Sequence, residues 1–276
     1  MEFPPPQHVF EIGTESYERY VALHKAEDTD SLLGLLTDFP DLDQLITGPE
    51  SGTLTIFAAR PSLGKTSLAL SIACNVPADQ GKNVAIFSLE MTKQSLMDRI
   101  VSGFLGIEIW KLKKGKMSDG EFLQLGFVFD KLKEHPIYID DDFDASMANL
   151  RSKARRQQME HGLDLLIIDY MQLIEVTDRS AGENRTQQVS HISRSLRALA
   201  REHDCPILAS SQLLRSVEQR HPPIPILSDL RESGSIEQDA DQVWMLYRDG
   251  VYSPDCDTPD LTDVIVRKNR NGATGL

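Results

Sequence analysis

The sequence contains no C-x-x-C pair. Its three cysteines, Cys74, Cys205 and Cys256, are far apart, and two of them sit among apolar or small residues, as reduced thiols do. There is no uninterrupted apolar run of membrane-spanning length, and the opening residues MEFPPPQHVF lack both the basic and the apolar segments of a secretory signal. These absences exclude a membrane partner and point to a cytoplasmic setting. Asn184-Arg185-Thr186 therefore reads as a helix start, because a glycosylation acceptor requires secretion. Cations are scarce as well: 29 Lys and Arg stand against 42 Asp and Glu, for a net charge of −13. That balance excludes a protein that coats nucleic acid with a broad basic face, since such binding needs many phosphate contacts. Any nucleic-acid contact has to be local. Internal repeats and low-complexity tracts are also missing.

One absence is more pointed. The stretch AARPSLGKTSLAL, residues 58–70, follows the phosphate-loop pattern G-x-x-x-x-G-K-[ST] through Gly64, Lys65 and Thr66, but Ala59 stands where the first glycine belongs. The first position mainly requires a small side chain, so Ala59 suffices if its backbone avoids positive φ. In such a loop the backbone N–H groups and the helix N-terminus face the phosphates. Lys65 supplies a point charge to the β- and γ-phosphates, and the Thr66 hydroxyl is placed for Mg²⁺.

The context fits. From about residue 53, apolar strands alternate with amphipathic helices, the pattern of an α/β fold with a mostly parallel central sheet flanked by helices. Strands are expected at 53–59, 83–90, 135–140, 164–170, 205–211, 241–247 and 262–268, and helices at 65–75, 92–105, 119–134, 145–160 and 184–203. The stretches 212–238 and 248–261 are candidate mobile loops. Near the start, Tyr17, Tyr20, Val21 and His24 recur at helical spacing; this stripe either folds back on its own domain or docks on a neighbouring subunit.

Asp169 follows Leu165, Leu166, Ile167 and Ile168 at a strand end, where a carboxylate would hold the metal through water. Glu90 ends the second strand similarly and is placed to orient or deprotonate an attacking water. Two strand-terminal carboxylates and Gly64-Lys65-Thr66 thus meet at the edge where open α/β sheets bind ligands, which favours a nucleotide hydrolase. Gln212 stands at the same edge and either senses a γ-phosphate or caps a loop. Lys268 and Arg270 lie two apart at the last strand's end, so both side chains point the same way. They are a solvated strand end or a pair of cations for an adjacent subunit's site, where such a finger contributes about 10³–10⁵ in rate. The cluster Lys111, Lys113, Lys114 and Lys116 reads as a solvated loop, and Asp140, Asp141, Asp142 and Asp144 as a strand end and helix cap.

The segments AARPSLGKT, VAIFSLEM, LLIIDYMQLI, SRSLRALARE, SQLLRSVEQR, SDLRESGSIEQDAD and RKNRNG, taken in this order, resemble the C-terminal motor domain of the replicative DnaB-type hexameric helicases. They span nearly all of residues 37–273. LRESGSIEQDAD is far more specific than any phosphate loop, and the family's own loop carries alanine at the first position. The resemblance implies a RecA-like P-loop NTPase in which Ala59, Arg60, Pro61, Ser62, Leu63, Gly64, Lys65, Thr66 and Ser67 cradle ATP. It further implies that Glu90 is the catalytic carboxylate and that Asp169, with Thr66, supports Mg²⁺. Gln212 would couple nucleotide state to the DNA loops. Arg99 would reach the phosphates within the subunit, and Lys268 and Arg270 would be donated in trans, Arg270 as the finger. Arg231, Glu232 and Gly234 would contact single-stranded DNA in a ring channel, so a few loops repeated per subunit reconcile DNA binding with the acidic charge. The implied partners are single-stranded DNA, further copies of the chain in a hexamer, and a primase or helicase loader.

Two departures accompany the resemblance. Where the family pattern resembles T-G-F-x-x-L-D, residues 37–43 read TDFPDLD, so Asp38 replaces glycine and the turn is expected to differ. Residues 1–30 read as a lead-in and linker helix before a 31–276 ATPase domain, with the family's N-terminal domain expected to be absent and the C-terminal end truncated. The competing readings are a RecA-like recombination or repair ATPase, against which SDLRESGSIEQDAD speaks, and an idle ATP-binding module, against which the joint presence of Lys65, Glu90 and Arg270 speaks.

Overall fold

A computed structural model describes residues 8–25, 34–142, 144–176, 184–230, 234–253 and 255–276. Seven strands form one sheet: β1 (Leu54–Ala59), β2 (Val84–Ser88), β3 (Ile137–Asp140), β4 (Leu165–Asp169), β5 (Ile207–Gln212), β6 (Gln242–Tyr247) and β7 (Asp263–Asn269). Their spatial order is β3-β2-β4-β5-β1-β6-β7. The first six are parallel and β7 closes one edge antiparallel to β6. Each expected strand is present to within a residue or two.

Alternation along the strands divides the core in two. Leu54, Ile56 and Ala58 of β1 face a cluster with α7 (Met147–Glu160), α8 (Arg185–His203) and α9 (Gly234–Asp239), through residues such as Leu150, Leu196 and Ile236. Phe57 and Ala59 face the other side, where α2 (Pro40–Ile46), α3 (Lys65–Gln80) and α4 (Lys93–Leu105) contribute Ile46, Ile72 and Leu96. A sheet covered on both faces has to be apolar throughout, and β1, β2, β4 and β6 are buried along their whole length.

Helix starts follow their capping residues. Thr92 accepts from Ser95 N–H before α4, Ser146 from Asn149 N–H before α7, and Asn184 from Thr186 N–H before α8. Ser118 and Glu121 form a reciprocal capping box at α6 (Asp119–Glu134). A short α5 (Ile109–Lys113) precedes it.

Several expectations need correction. α3 runs to Gln80, beyond the expected 75, and ends where Gly81 turns left-handed at φ +62. The stripe of Tyr17, Tyr20, Val21 and His24 lies on a longer first helix, α1 (Val9–Lys25), whose Val9, Phe10, Tyr17 and Tyr20 are exposed. Asp38 adopts a left-handed φ of +61, a conformation that glycine takes readily. The Asp43 carboxylate holds it there, accepting from Thr37 N–H, Thr37 Oγ1 and Asp38 N–H at 2.8–3.1 Å. The stretch 212–230 is cross-braced: Leu213 bridges Leu230, and Arg220 grips Asp229 with two nitrogens at 2.7 and 2.9 Å. The acidic run behaves as a strand end, with Lys153 Nζ 2.7 Å from Asp140 and 3.0 Å from Asp142. Among the described residues no group of three or more His, Cys, Asp or Glu is disposed to hold a metal. No described helix is long and apolar enough to cross a membrane.

Candidate nucleotide site

β1 delivers the chain into the phosphate loop at the sheet's carboxyl edge. Ala59 is the last residue of that strand, fully buried, and it is not among the positive-φ residues, which meets the condition set for a non-glycine there. The conformational demand falls further along, on Ser62 at φ +67 and Gly64 at φ +92. Gly64 is the N-cap of α3 and its Cβ position is open, so it is the backbone angle and not crowding that calls for glycine.

A cavity of about 550 Å³ opens beside this turn, lined by Pro61, Ser62, Gly64, Lys65, Thr66, Ser67, Glu90, Met91, Arg99, Tyr170 and Gln212. Register explains why these distant residues meet. Ala59 pairs with Gln212 across β1 and β5, and Ser88 pairs with Asp169 across β2 and β4. Leu89 N–H donates to the Asp169 carbonyl at 2.8 Å, which aligns Glu90 beside the fourth strand's end.

Asp169 is 3% exposed and has both oxygens occupied. Thr66 Oγ1 donates to Oδ2 at 2.7 Å, and Ser210 Oγ donates to Oδ1. A hydroxyl and a carboxylate in contact at the start of α3 are the donor set a hydrated Mg²⁺ would take. Lys65 is half-buried, and burial lowers its pKa from the usual lysine value, an effect opposed by the nearby Asp169 and Glu90 carboxylates. Its ammonium stands 5.0 Å from the centre of the Tyr170 ring, within cation–π range. A cation between two carboxylates and short of water is prepared for a polyanion that restores its solvation.

Three of the expected cradle residues do not present side chains to the cavity. Ala59 and Leu63 are core residues. Arg60 turns away: Nη1 donates to the Leu213 carbonyl at 2.9 Å and Nε meets Glu218 at 2.7 Å, which fastens the phosphate loop to the braced segment after β5. Tyr170, Ser210 and Met91 were missed by sequence reasoning. The run Ala209-Ser210-Ser211-Gln212, unusually polar for a buried strand end, is the signal that could have found Ser210.

Residues 34–276 match the family described as the DnaB-like helicase C terminal domain. The chain belongs to that family. It is 44% identical over 269 residues to the replicative DNA helicase DnaB of Geobacillus stearothermophilus and 40% identical to the replicative DNA helicase DnaC of Bacillus subtilis, in each case over 98% of this chain and 59% of the relative. It thus spans about three fifths of the length of these relatives. The ATPase domain of G40P superposes with a TM-score of 0.90 at 34% identity, covering 98% of this chain and 94% of that one. A DnaB-like replicative helicase studied with primase superposes at 0.86 and 34%, covering 98% and 64%. The sheet is therefore the RecA-like α/β arrangement of the DnaB-like family, and nucleotide binding goes with it.

The remaining candidates of this DnaB-like domain lie elsewhere. Lys268 and Arg270 do share one side, as alternation requires, but β7 is antiparallel and pairs Asn269 with Gln242 at the beginning of β6. They stand at the sheet's amino edge, opposite Lys65. Lys268 Nζ donates to the Glu237 and Ala240 carbonyls at 2.5 and 2.6 Å, and Arg270 meets Asp241 at 3.2 Å. Gly234 opens α9, while Arg231 and Glu232 lie outside the described residues.

Proposed function

We propose that this chain is the ATP-hydrolysing motor of a replicative DNA helicase that translocates 5′ to 3′ on single-stranded DNA and unwinds duplex. The observation that carries the reading is the cavity in which Lys65, Thr66, Glu90, Arg99 and Gln212 converge, with the buried Asp169 bonded to Thr66 behind its lining. In this reading the loop N–H groups and Lys65 bind the phosphates of ATP, and Thr66 and Asp169 hold Mg²⁺. Mg²⁺, when bound, neutralises charge on the β- and γ-phosphates. Glu90, exposed at the mouth, orients and deprotonates the attacking water, and Arg99 reaches the phosphates from α4. Gln212 reports occupancy to the braced segment that leads to Arg231, Glu232 and Gly234, which take the DNA backbone.

Lys268 and Arg270 complete the site of a neighbouring copy. Their position at the opposite edge supports this, because they face away from their own Lys65. We take the assembly to be a cytoplasmic hexameric ring, which leaves the acidic exterior free of DNA, and its partners to be a primase or loader.

The test is steady-state ATP hydrolysis with and without single-stranded DNA for wild type, Glu90→Gln and Arg270→Ala. DNA-stimulated turnover lost in both variants is expected. Full activity in Glu90→Gln would refute the role given to Glu90, and full DNA-stimulated activity in Arg270→Ala would refute donation in trans.

A further inference from the structure

Asp241, between α9 and β6, is 7% exposed and sits at the centre of a cationic cluster away from the nucleotide cavity. Its Oδ2 accepts from Leu54 N–H at 3.0 Å, and its own N–H donates to the Leu54 carbonyl at 2.8 Å, which fixes the carboxylate to the beginning of β1. Its other oxygen, Oδ1, is shared by two guanidinium groups: Arg197 Nη2 of α8 at 3.1 Å and Arg270 Nη1 at 3.2 Å. Arg270 Nη2 donates to the Gln238 carbonyl at 3.2 Å, and Arg270 N–H to the Asp241 carbonyl at 2.9 Å. Lys268 is spent on the neighbouring carbonyls of Glu237 and Ala240.

The two contacts of the Arg270 side chain use its two terminal nitrogens, the pair that a phosphate would grip. Its side chain is nevertheless 42% exposed, and the two cations it would leave behind are already in place. We propose that Asp241 and the last carbonyls of α9 form a resting berth for the Arg270 guanidinium, in competition with the nucleotide phosphates of a neighbouring copy. Arg197 is the resident counter-ion that keeps Asp241 paired when Arg270 departs. Its side chain is only 20% exposed against 42% for Arg270, so Arg197 is the more enclosed of the two cations and Arg270 the one with room to leave. The berth also joins the cation to α9, which is fixed to α8 by Ser190–Ser235 and Ser193–Asp239 hydroxyl contacts and which directly follows residues 231–233. Asp241 is thus a positioning residue. It rests on the reading of Arg270 as a residue acting in trans.

A berth of this kind lowers apparent nucleotide affinity by the fraction of time Arg270 is free. For a half-exposed ion pair that factor is about two to five. In the assembled enzyme with single-stranded DNA, Asp241→Asn keeps an oxygen for Leu54 N–H and removes the charge, so the KM for ATP falls by about that factor with kcat maintained. Arg197→Gln leaves Asp241 to Arg270 alone, and KM rises. Loss of packing would move both variants the same way, whereas the berth moves them in opposite directions. KM shifts of the same sign, or an unchanged KM in Asp241→Asn beside an inactive Arg270→Ala, would overturn the berth while leaving the trans cation intact. An Arg270→Ala enzyme with wild-type turnover would remove the trans reading itself. Should Asp241→Asn fail to fold, Arg197→Gln carries the test alone: a KM at or below that of wild type refutes the berth.

Discussion

Replacing Ser210 by Ala tests whether Asp169 is held by hydrogen bonds to both of its oxygens. Ser210 is fully buried, and its hydroxyl is the partner of Asp169 Oδ1, while Oδ2 is served by Thr66. The substitution removes one oxygen atom, which leaves a space too small for a replacement water. A buried carboxylate oxygen then loses a charge-assisted hydrogen bond, a loss of about 1.5–3 kcal/mol. For a chain of this size that is a fall of roughly 3–12 °C in Tm. Ser211→Ala is the matched control, because Ser211 is equally buried but accepts only from the neutral Gln172 Nε2 at 2.7 Å. Its loss is about 1 kcal/mol, or ~2–4 °C. In the ATPase assay Ser210→Ala should also lower kcat about tenfold, since a carboxylate freed on one side no longer holds its orientation. If Ser210→Ala melts no lower than Ser211→Ala, the hydrogen bond from Ser210 does not hold Asp169 in place, and the description of the site is wrong.

Three further outcomes are expected. Asp38→Gly, at φ +61, relieves a left-handed strain of about 1–2 kcal/mol but gains backbone freedom in the unfolded chain, so Tm should hold or rise by ~2 °C; a clear fall would show that Asp38 supplies more than its backbone angle. Lys65→Met should raise the Tm of the nucleotide-free protein while abolishing nucleotide binding. Because folding lowers the Lys65 pKa, the folded state penalises the ammonium most at neutral pH, and the penalty fades as pH rises through the lowered value towards 10.5; the gain in thermal scans should shrink in that alkaline window. Burial pushes the Cys205 thiol up to about 12 from 9.0, so its alkylation at pH 8 should be about a thousandfold slower than in the unfolded chain, and rapid labelling in the native state would contradict its burial.

Much of this architecture was legible because the governing signals are local and periodic. Seven apolar strands separated by capped helices dictate a covered sheet, and a strand running into Gly64-Lys65-Thr66 dictates where the site opens. The two carboxylates could be placed because a strand end has only one edge to occupy. What escaped were side-chain directions after tight turns and elements too short to show a period. Nothing in ARPS says that Arg60 turns to Glu218 instead of the phosphates, and a six-residue helix such as α9 has less than two turns in which to declare itself. Ser210 was overlooked because a hydroxyl in a buried strand reads as a small residue until its partner is known. Asp38 illustrates the reverse: the residue departs from the family pattern, yet it takes the left-handed conformation that glycine favours and aspartate tolerates.

The opposite placement of Lys65 and Arg270 carries a numerical consequence. In the proposed arrangement, a copy that completes a neighbour's cavity with its β7 cations has its own cavity completed by a third copy, so the contact is head-to-tail. An open row of such copies always leaves one terminal cavity unfinished and one terminal pair of cations idle. Closing such a row would add a working cavity without adding a subunit, and opening it, as the proposed ring would to admit a strand of DNA, would silence one cavity for as long as the gap lasts.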